Sequence, residues 1–245
     1  MFQPASLKGD SPTPVDERLR FRFLPVYFLI ITLSFIPLIL IEYTYIFIFW
    51  RENLYLLFWL LIPLNLIISL YTLQLAAILI SYLILNICNL VYFPREGIFK
   101  RNINDRAYYF WNIRNIIKKW PLYLTATNPF PWLKNRFTLR FFGVKIGKNA
   151  ICDNAWISSE FIEIGKNIII GMGSTILSFG IEQDKFIIKN ILIKDNVIIG
   201  AKCVLLPGTT IEENVMLNAL SYTNYEQSMV KNKKYKGRPA KIKEE

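Results

Sequence analysis

Aliphatic and small side chains recur at every sixth residue through the last hundred positions, a period that very few folds accommodate. Val144, Ala150, Trp156, Ile162, Ile168 and Ser174 form one row, and Ile146, Cys152, Ser158, Ile164, Ile170 and Ile176 form a second, two places on. After a slip of phase the rows resume with Ile191, Val197, Cys203, Thr209, Val215 and Ser221, and with Ile193, Ile199, Leu205, Ile211, Leu217 and Thr223. A period of six fits neither a helix nor an alternating strand, so the hexad is itself the unit: one short strand and one corner, three to a coil. No coil buries its apolar face alone, and each Ile or Leu taken inside contributes about 1.5 to 3 kcal/mol, which predicts a stacked β-solenoid over 141–245. Gly147, Asp153, Gly165, Gly171, Gly200 and Asn218 follow the second row and suit its corners. Between Ile176 and Ile193 the interval is 17 residues, not a multiple of six. One coil therefore extrudes a loop near 177–190 that carries Ser178, Glu182, Asp184 and Lys185.

The rest of the chain has a different chemistry. The sequence is 53% hydrophobic with a formal net charge of +11, a combination that points to an anionic membrane surface. Residues 1–22 carry seven charges and no apolar core, which reads as a cytosolic tail and not as a signal peptide. From Phe23 to Trp50 the only charge is Glu42, and from Leu54 to Phe93 there is none. About 20 apolar residues suffice for a span, so 23–94 predicts a transmembrane hairpin turning at Arg51 to Asn53. The second run is long enough to be one tilted helix, a helix kinked at Pro63, or one and a half segments. Asn65, Gln74, Asn86 and Asn89 within it predict packing against another helix or a buried end. Arg18, Arg20 and Arg22 before the first run, and Arg95, Lys100, Arg101, Arg106 and Arg114 after the second, place both ends in the cytoplasm and make this a multi-pass cell-membrane protein. Glu42 then lies near the outer end of the first span, where a carboxylate snorkels to the headgroups; an intramembrane site is the other reading.

Residues 95–140 are basic and aromatic. Phe110, Ile113, Ile117 and Trp120 share a helical face with Arg114, Lys118 and Lys119 beside it, and Pro121 is expected to stop the helix. Two placements stand: an interfacial helix on an anionic leaflet, or a helix packed on the solenoid. Asn128-Pro-Phe-Pro-Trp132 reads as a rigid turn. The positive charge has no helix-turn-helix, zinc or RNA-binding signature with it, so no nucleic-acid partner is expected.

The runs Val144-Lys-Ile-Gly-Lys-Asn-Ala150, Ile162-Glu-Ile-Gly-Lys-Asn167 and Val197-Ile-Ile-Gly-Ala-Lys-Cys-Val204, with Gly237-Arg-Pro-Ala-Lys241 near the end, resemble the hexapeptide-repeat acyltransferase superfamily. The resemblance implies a left-handed parallel β-helix, so the expected fold class is a two-helix (or two-and-a-half) transmembrane anchor plus an all-β left-handed parallel β-helix domain. It also implies a homotrimer, with acyl-CoA lying along the coils between subunits. The activity it implies is transfer of an acyl group from acyl-CoA or an acyl carrier to a hydroxyl or amine near the membrane, with Lys233, Lys234, Lys236 and Arg238 as donor contacts. The order of pieces, a basic aromatic segment, then Leu139-Arg-Phe-Phe-Gly-Val-Lys-Ile-Gly147, then Ser158-Ser-Glu-Phe-Ile-Glu-Ile-Gly165, is similar to the membrane-bound terminal region of poly-lysine-synthetase-type peptide synthetases. In that family a loop of the form Thr-His-Leu-Phe-Glu-Asp interrupts the β-helix; the matching stretch here, Leu177 to Lys185, keeps Glu182 and has no histidine.

The chain contains no histidine at all. The imidazole base that hexapeptide acyltransferases commonly use is therefore missing, as are the three zinc ligands of the β-helical carbonic anhydrases, and no metal is expected. Cys152 and Cys203 occupy inward rows and Cys88 an apolar run, which makes all three structural. Their odd number, with no paired spacing, indicates a reducing compartment. Chemistry is left to carboxylates: Glu182 in the loop, where Ile181, Phe186 and Ile187 are placed to bury it, and Glu160, which matches the acid of the synthetase family's Ser-Glu motif, with Ser178 beside them. The alternative is a catalytically lapsed trimeric scaffold or an accessory part of a peptide-assembly or export system.

Overall fold

The computed structural model describes residues 22–102, 104–128, 133–152, 155–182 and 185–243. All but the last residue of the 1–22 tail, Asp153, Asp184 and most of the Asn128 to Trp132 turn thus fall outside the described residues.

The two apolar runs form a helical hairpin of α1 (Leu24–Phe49) and α2 (Tyr55–Val91), joined by one 3-10 turn at Glu52–Leu54. Both are long and apolar enough to cross a membrane. The second run is one continuous helix of 37 residues, with Pro63 inside it. At 1.5 Å per residue it is about 55 Å long, so only part of it can match an apolar layer. Gln74 marks the change of surroundings: its Nε2 donates to the Leu124 carbonyl (3.2 Å) and its Oε1 accepts from Asn128 Nδ2 (2.6 Å). Beyond it Leu85 and Cys88 pack with Ile30 of α1 and with Ile117. The Glu42 carboxylate accepts from Asn65 Nδ2 (2.9 Å) and from Ser69 Oγ, both of α2, so the hairpin itself supplies its partners.

Helix α3 (Arg106–Ala126) starts at Asp105, whose carboxylate accepts from the backbone N–H groups of Ala107 (2.8 Å) and Tyr108 (3.3 Å). Pro121 does not end it. Ile117, Pro121 and Thr125 stand four apart and are all buried, and the packing of that row outweighs the one backbone bond proline cannot donate. The expected leaflet-facing cations are also turned inward: Arg114 and Lys118 are each 1% exposed, against the solenoid, while Lys119 is exposed. Of the two placements, the helix packed on the solenoid is the one found.

The solenoid follows the short helix α4 (Leu139–Phe141). Its three faces are parallel ladders. The first holds β2 (Lys145–Ile146), β4 (Ile162–Ile164), β9 (Ile191–Ile193), β12 (Thr210–Ile211) and β14 (Ser228–Met229). The second runs through β5 (Ile169–Ile170), β10 (Ile198–Ile199), β13 (Met216–Leu217) and β15 (Lys234–Gly237), with β16 (Ala240–Ile242) antiparallel at its end. The third is β3 (Trp156–Ile157), β6 (Thr175–Ile176) and β11 (Val204–Leu205). Partners on the first face lie one 18-residue coil apart, Ile146 with Ile164 and Ile193 with Ile211. Ile164 meets Ile193, so eleven residues leave the coil there. Nearly every residue of the two rows is buried; Trp156 is the correction. It stands 50% exposed while its neighbours Ala155 and Ile157 fill the interior, because the ladder sets Trp156 against Thr175 and not against the inward Ser174. At the corners Asn149, Asn167, Asn196, Asn214 and Asn232 adopt φ between 55° and 59°, and their amides stack, Asn149 on Asn167 (3.1 Å) and Asn167 on Asn196 (3.2 Å). Gly165 serves another need: a Cβ there would lie 2.8 Å from the Lys194 carbonyl carbon of the coil above.

The extruded residues form a hairpin, not an irregular loop: β7 (Phe179–Glu182) and β8 (Lys185–Ile188), closed at its base by Lys189 N donating to Ser178 O (2.9 Å). The segment leaving α2 adds a third, antiparallel strand, β1 (Gly97–Lys100), on β8. Phe186 is fully buried between Trp111 (ring centroids 4.6 Å apart) and Tyr108 (5.1 Å) of α3. The hairpin thus clamps the helical part to the coils.

Candidate functional site

Arg114 and Lys118 stand one turn apart on α3, so both side chains project to the same face. That face meets the corner after β3. Arg114 Nε donates to Glu160 Oε1 (2.8 Å) and Nη2 to Oε2 (3.3 Å), and the Lys118 ammonium bonds Oε1 as well. Lys118 also reaches the Ser159 carbonyl at 3.5 Å. The Glu160 side chain is 11% exposed and the two cations are almost completely enclosed. Burial alone would push the Glu160 carboxyl up, but Lys118 and Arg114 together hold it below the usual carboxylate value. Lys118 is lowered, first by burial and then by the Arg114 charge, against the pull of Glu160.

Glu160 lies at the floor of a cleft of about 630 Å³ between α3, the first turn of α1 and the first coils. Ser158, Ser159 and Ser178 share that floor with it. All three serines are buried, and Ser158 Oγ accepts from the Ser178 backbone N–H at 3.3 Å. Helix α3 adds the polar Asn112, Asn115 and Lys119. Apolar walls come from Trp156 of the solenoid, Phe179 of the hairpin, Ile116 and Tyr123 of α3, and Leu24 and Tyr27 of α1. The outward turn of Trp156 that breaks the six-residue row therefore supplies one wall.

Two of the sequence candidates, Glu160 and Ser178, are brought together here; the others are not. Glu182 ends β7 opposite Lys185 and is exposed, and the burial expected from Ile181, Phe186 and Ile187 is not found within the chain. Phe186 and Ile187 are themselves buried, while Ile181 is 46% exposed. Glu182 does influence Tyr225, whose hydroxyl is raised by burial and then by that charge. Lys233, Lys234, Lys236 and Arg238 are exposed at the far end of the stack, three strand spacings or about 14 Å beyond β5, and none lines the cleft. Arg238 Nε donates to the Leu220 carbonyl at 2.7 Å. The three cysteines are buried free thiols, with that of Cys203 pushed up by burial. No cluster of metal-ligating side chains occurs among the described residues. Sequence reasoning missed Arg114 and Lys118 as partners of Glu160. The available signal was two cations four apart, flanking the apolar Ile117 on a face that also had to be buried.

The coils form a β-solenoid built on a six-residue repeat. The chain is 33% identical over 95 residues to a protein of Bacillus subtilis (strain 168) named "Putative acetyltransferase YvoF", a match covering 37% of this chain and 55% of that one. It thus spans about half the length of the curated relative it matches. No family model matches. Similar solved structures include the hexapeptide-repeat acetyltransferase VCA0836 of Vibrio cholerae with acetyl-coenzyme A (20% identity, 56% of this chain and 88% of that one, TM-score 0.45). A maltose O-acetyltransferase of Clostridium difficile 630 also aligns (21% identity, 51% and 82%, TM-score 0.40).

Proposed function

We propose that this protein is a membrane-anchored acyltransferase. In this reading it moves an acyl group from acyl-CoA, or from an acyl carrier, to a hydroxyl or amine presented at the cytoplasmic face of the membrane. The observation that carries the reading is the sequence similarity of the coils to a curated protein named for acetyl transfer. The helical hairpin is the anchor, with both chain ends cytoplasmic, and the first 20 residues of α2, up to Gln74, are about 30 Å long, the thickness of a hydrocarbon core. Three copies assemble around the solenoid faces and the donor lies along the coils. The acceptor oxygen or nitrogen forms a bond to the acyl carbon, the carbon–sulfur bond breaks, and the acceptor's proton ends on the departing CoA thiolate. With no imidazole in the chain the proton is handled by a carboxylate, and Glu160, not Glu182, is the one at the cleft. Being held ionised it is a weak base, so positioning by Ser158, Ser159 and Ser178 supplies much of the rate. The resemblance to the synthetase terminal region adds a proposed setting, a tailoring role beside a peptide-assembly enzyme.

The test uses the full chain in lipid nanodiscs with radiolabelled acetyl-CoA and a total lipid extract. Release of free thiol together with label in the lipid fraction is expected. No thiol release and no acyl-CoA binding on native mass spectrometry would defeat the reading in favour of a trimeric scaffold.

A further inference from the structure

We infer that the cleft binds an anionic phospholipid head group, which is the acceptor of the acyl group; this rests on the acyltransferase reading above. Three observations converge on that ligand. The first is continuity. Leu24 and Tyr27 line the cleft and open the apolar helix α1, whose next turn leaves Phe28 60% and Leu29 52% exposed, so a hydrocarbon chain lying on α1 runs into the cleft without crossing a polar surface. The second is charge. The lining contains one cation, Lys119, and one anion, Glu160, and Glu160 is already paired with both Arg114 and Lys118 behind it. The buried group of three keeps an excess positive charge, and Arg114 Nη1 has no hydrogen-bond partner among the described residues. The field in the cleft therefore favours an anion. The third is the distribution of polarity, with buried serines and Asn115 at the floor and aromatic walls above, which suits a molecule with one polar and one apolar end. A volume of about 630 Å³ takes a head group and the first methylenes, leaving the chains against α1.

The experiment is native mass spectrometry of the full-length protein in detergent, titrated with phosphatidylglycerol, phosphatidylcholine and glycerol 1-phosphate. Phosphatidylglycerol should bind about tenfold more tightly than phosphatidylcholine, the effect of one charge-assisted contact. Lys119→Glu, at an exposed position, should erase that preference. A diazirine-bearing phosphatidylglycerol should label Tyr27, Tyr123 or Trp156. Equal retention of the two lipids, an unchanged preference in Lys119→Glu, or labels confined to the exposed faces of α1 and α2 would overturn the inference, as would glycerol 1-phosphate binding as tightly as the lipid. Selective lipid binding without thioester turnover defeats the acyltransferase reading and the acceptor role while upholding the head-group site. Thioester turnover onto lipid that Trp156→Asp leaves unchanged does the reverse.

Discussion

Glu160→Gln is the substitution that tests how the helical part is held to the coils. The amide keeps the shape but removes the negative charge that Arg114 contacts at 2.8 and 3.3 Å and that Lys118 also contacts. Both cations are 1% exposed, so water cannot take over. Removing one partner from a buried ion pair costs about 3 to 5 kcal/mol, a large share of the 5 to 15 kcal/mol that typically separates folded from unfolded chains. For a chain of this size that corresponds to a fall in melting temperature of roughly 10 °C. The loss should be local at first: hydrogen exchange should rise in α3 and in β1, β7 and β8, with the coils from β9 onward protected. Replacing the whole group, Arg114→Met with Lys118→Leu and Glu160→Leu, should recover most of the stability, because the desolvation penalty is removed along with the attraction. The pH dependence has a definite sign. The folded-state pKa of Glu160 is lowered, so its contribution is complete above the ordinary value of 4.5 and is lost as pH falls through the lower, folded value. The difference between wild type and Glu160→Gln should therefore shrink only on acidification below about 4.5. A single-variant loss under about 1 kcal/mol would mean that the charges are solvated, as in a surface pair, and would refute the argument.

Ile170→Asp places an unpaired carboxylate in the prism, where Ile170 is 4% exposed, and should abolish folding, whereas Lys166→Asp at an exposed corner should melt close to wild type. Gly165→Ala drives a methyl to within 2.4 Å of Asp195 Oδ1 and against the backbone of the next coil, and should lower stability by about 1 to 3 kcal/mol in denaturant titration. Phe186→Ala removes the ring between Tyr108 and Trp111 at about 3 to 5 kcal/mol, read as faster proteolysis at the hairpin. A cysteine introduced at Asn53 should react with an impermeant thiol reagent outside intact cells and one introduced at Lys233 should not; the opposite pattern would reverse the topology. If Glu160 is the base, transfer rates should show no inflection near 6.5, where an imidazole titrates, and a half-maximal rate there would place the base elsewhere.

The solenoid was legible because its period is enforced at every coil: an inward position that misses the six-residue beat loses its burial, and only Trp156 does so. A second signal in the sequence was as strong and is easily passed over. Asn149, Asn167, Asn196, Asn214 and Asn232 are spaced by 18 residues, or by 29 across the hairpin, as the left-handed corners require. The hairpin itself was legible only as an interval that fails to divide by six, because β-structure pairing with a strand some 90 residues earlier leaves no local pattern. The direction of α3 was ambiguous for a physical reason. Its cations satisfy two environments equally well by composition, an anionic surface or a buried carboxylate, and only the position of Glu160 decides between them. Glu182 misled because the residues expected to cover it do not: Ile181 is itself 46% exposed, Phe186 and Ile187 are buried on β8, and Glu182 stands opposite Lys185.

The alternation of side chains along a strand explains why chemistry gathers at the first coils and not at the hairpin tip. Along β7 and β8, Phe179 and Phe186 turn toward α3, whereas Glu182 falls on the opposite face of β7 and is exposed. Between Ile151, opposite Ile169, and Trp156, opposite Thr175, the register shifts by one residue, which turns Trp156 outward, and the corner after β3 brings Ser158, Ser159 and Glu160 to the face that α3 covers. A regular coil would have kept an aliphatic pair there and sealed against the helix. The irregularity is what leaves a cleft between two well-packed parts, and it does so beside the first residue of the apolar hairpin. Under the proposed acyl-transfer reading, an acceptor with an apolar tail would reach the cleft along α1, whose Leu24 and Tyr27 line it.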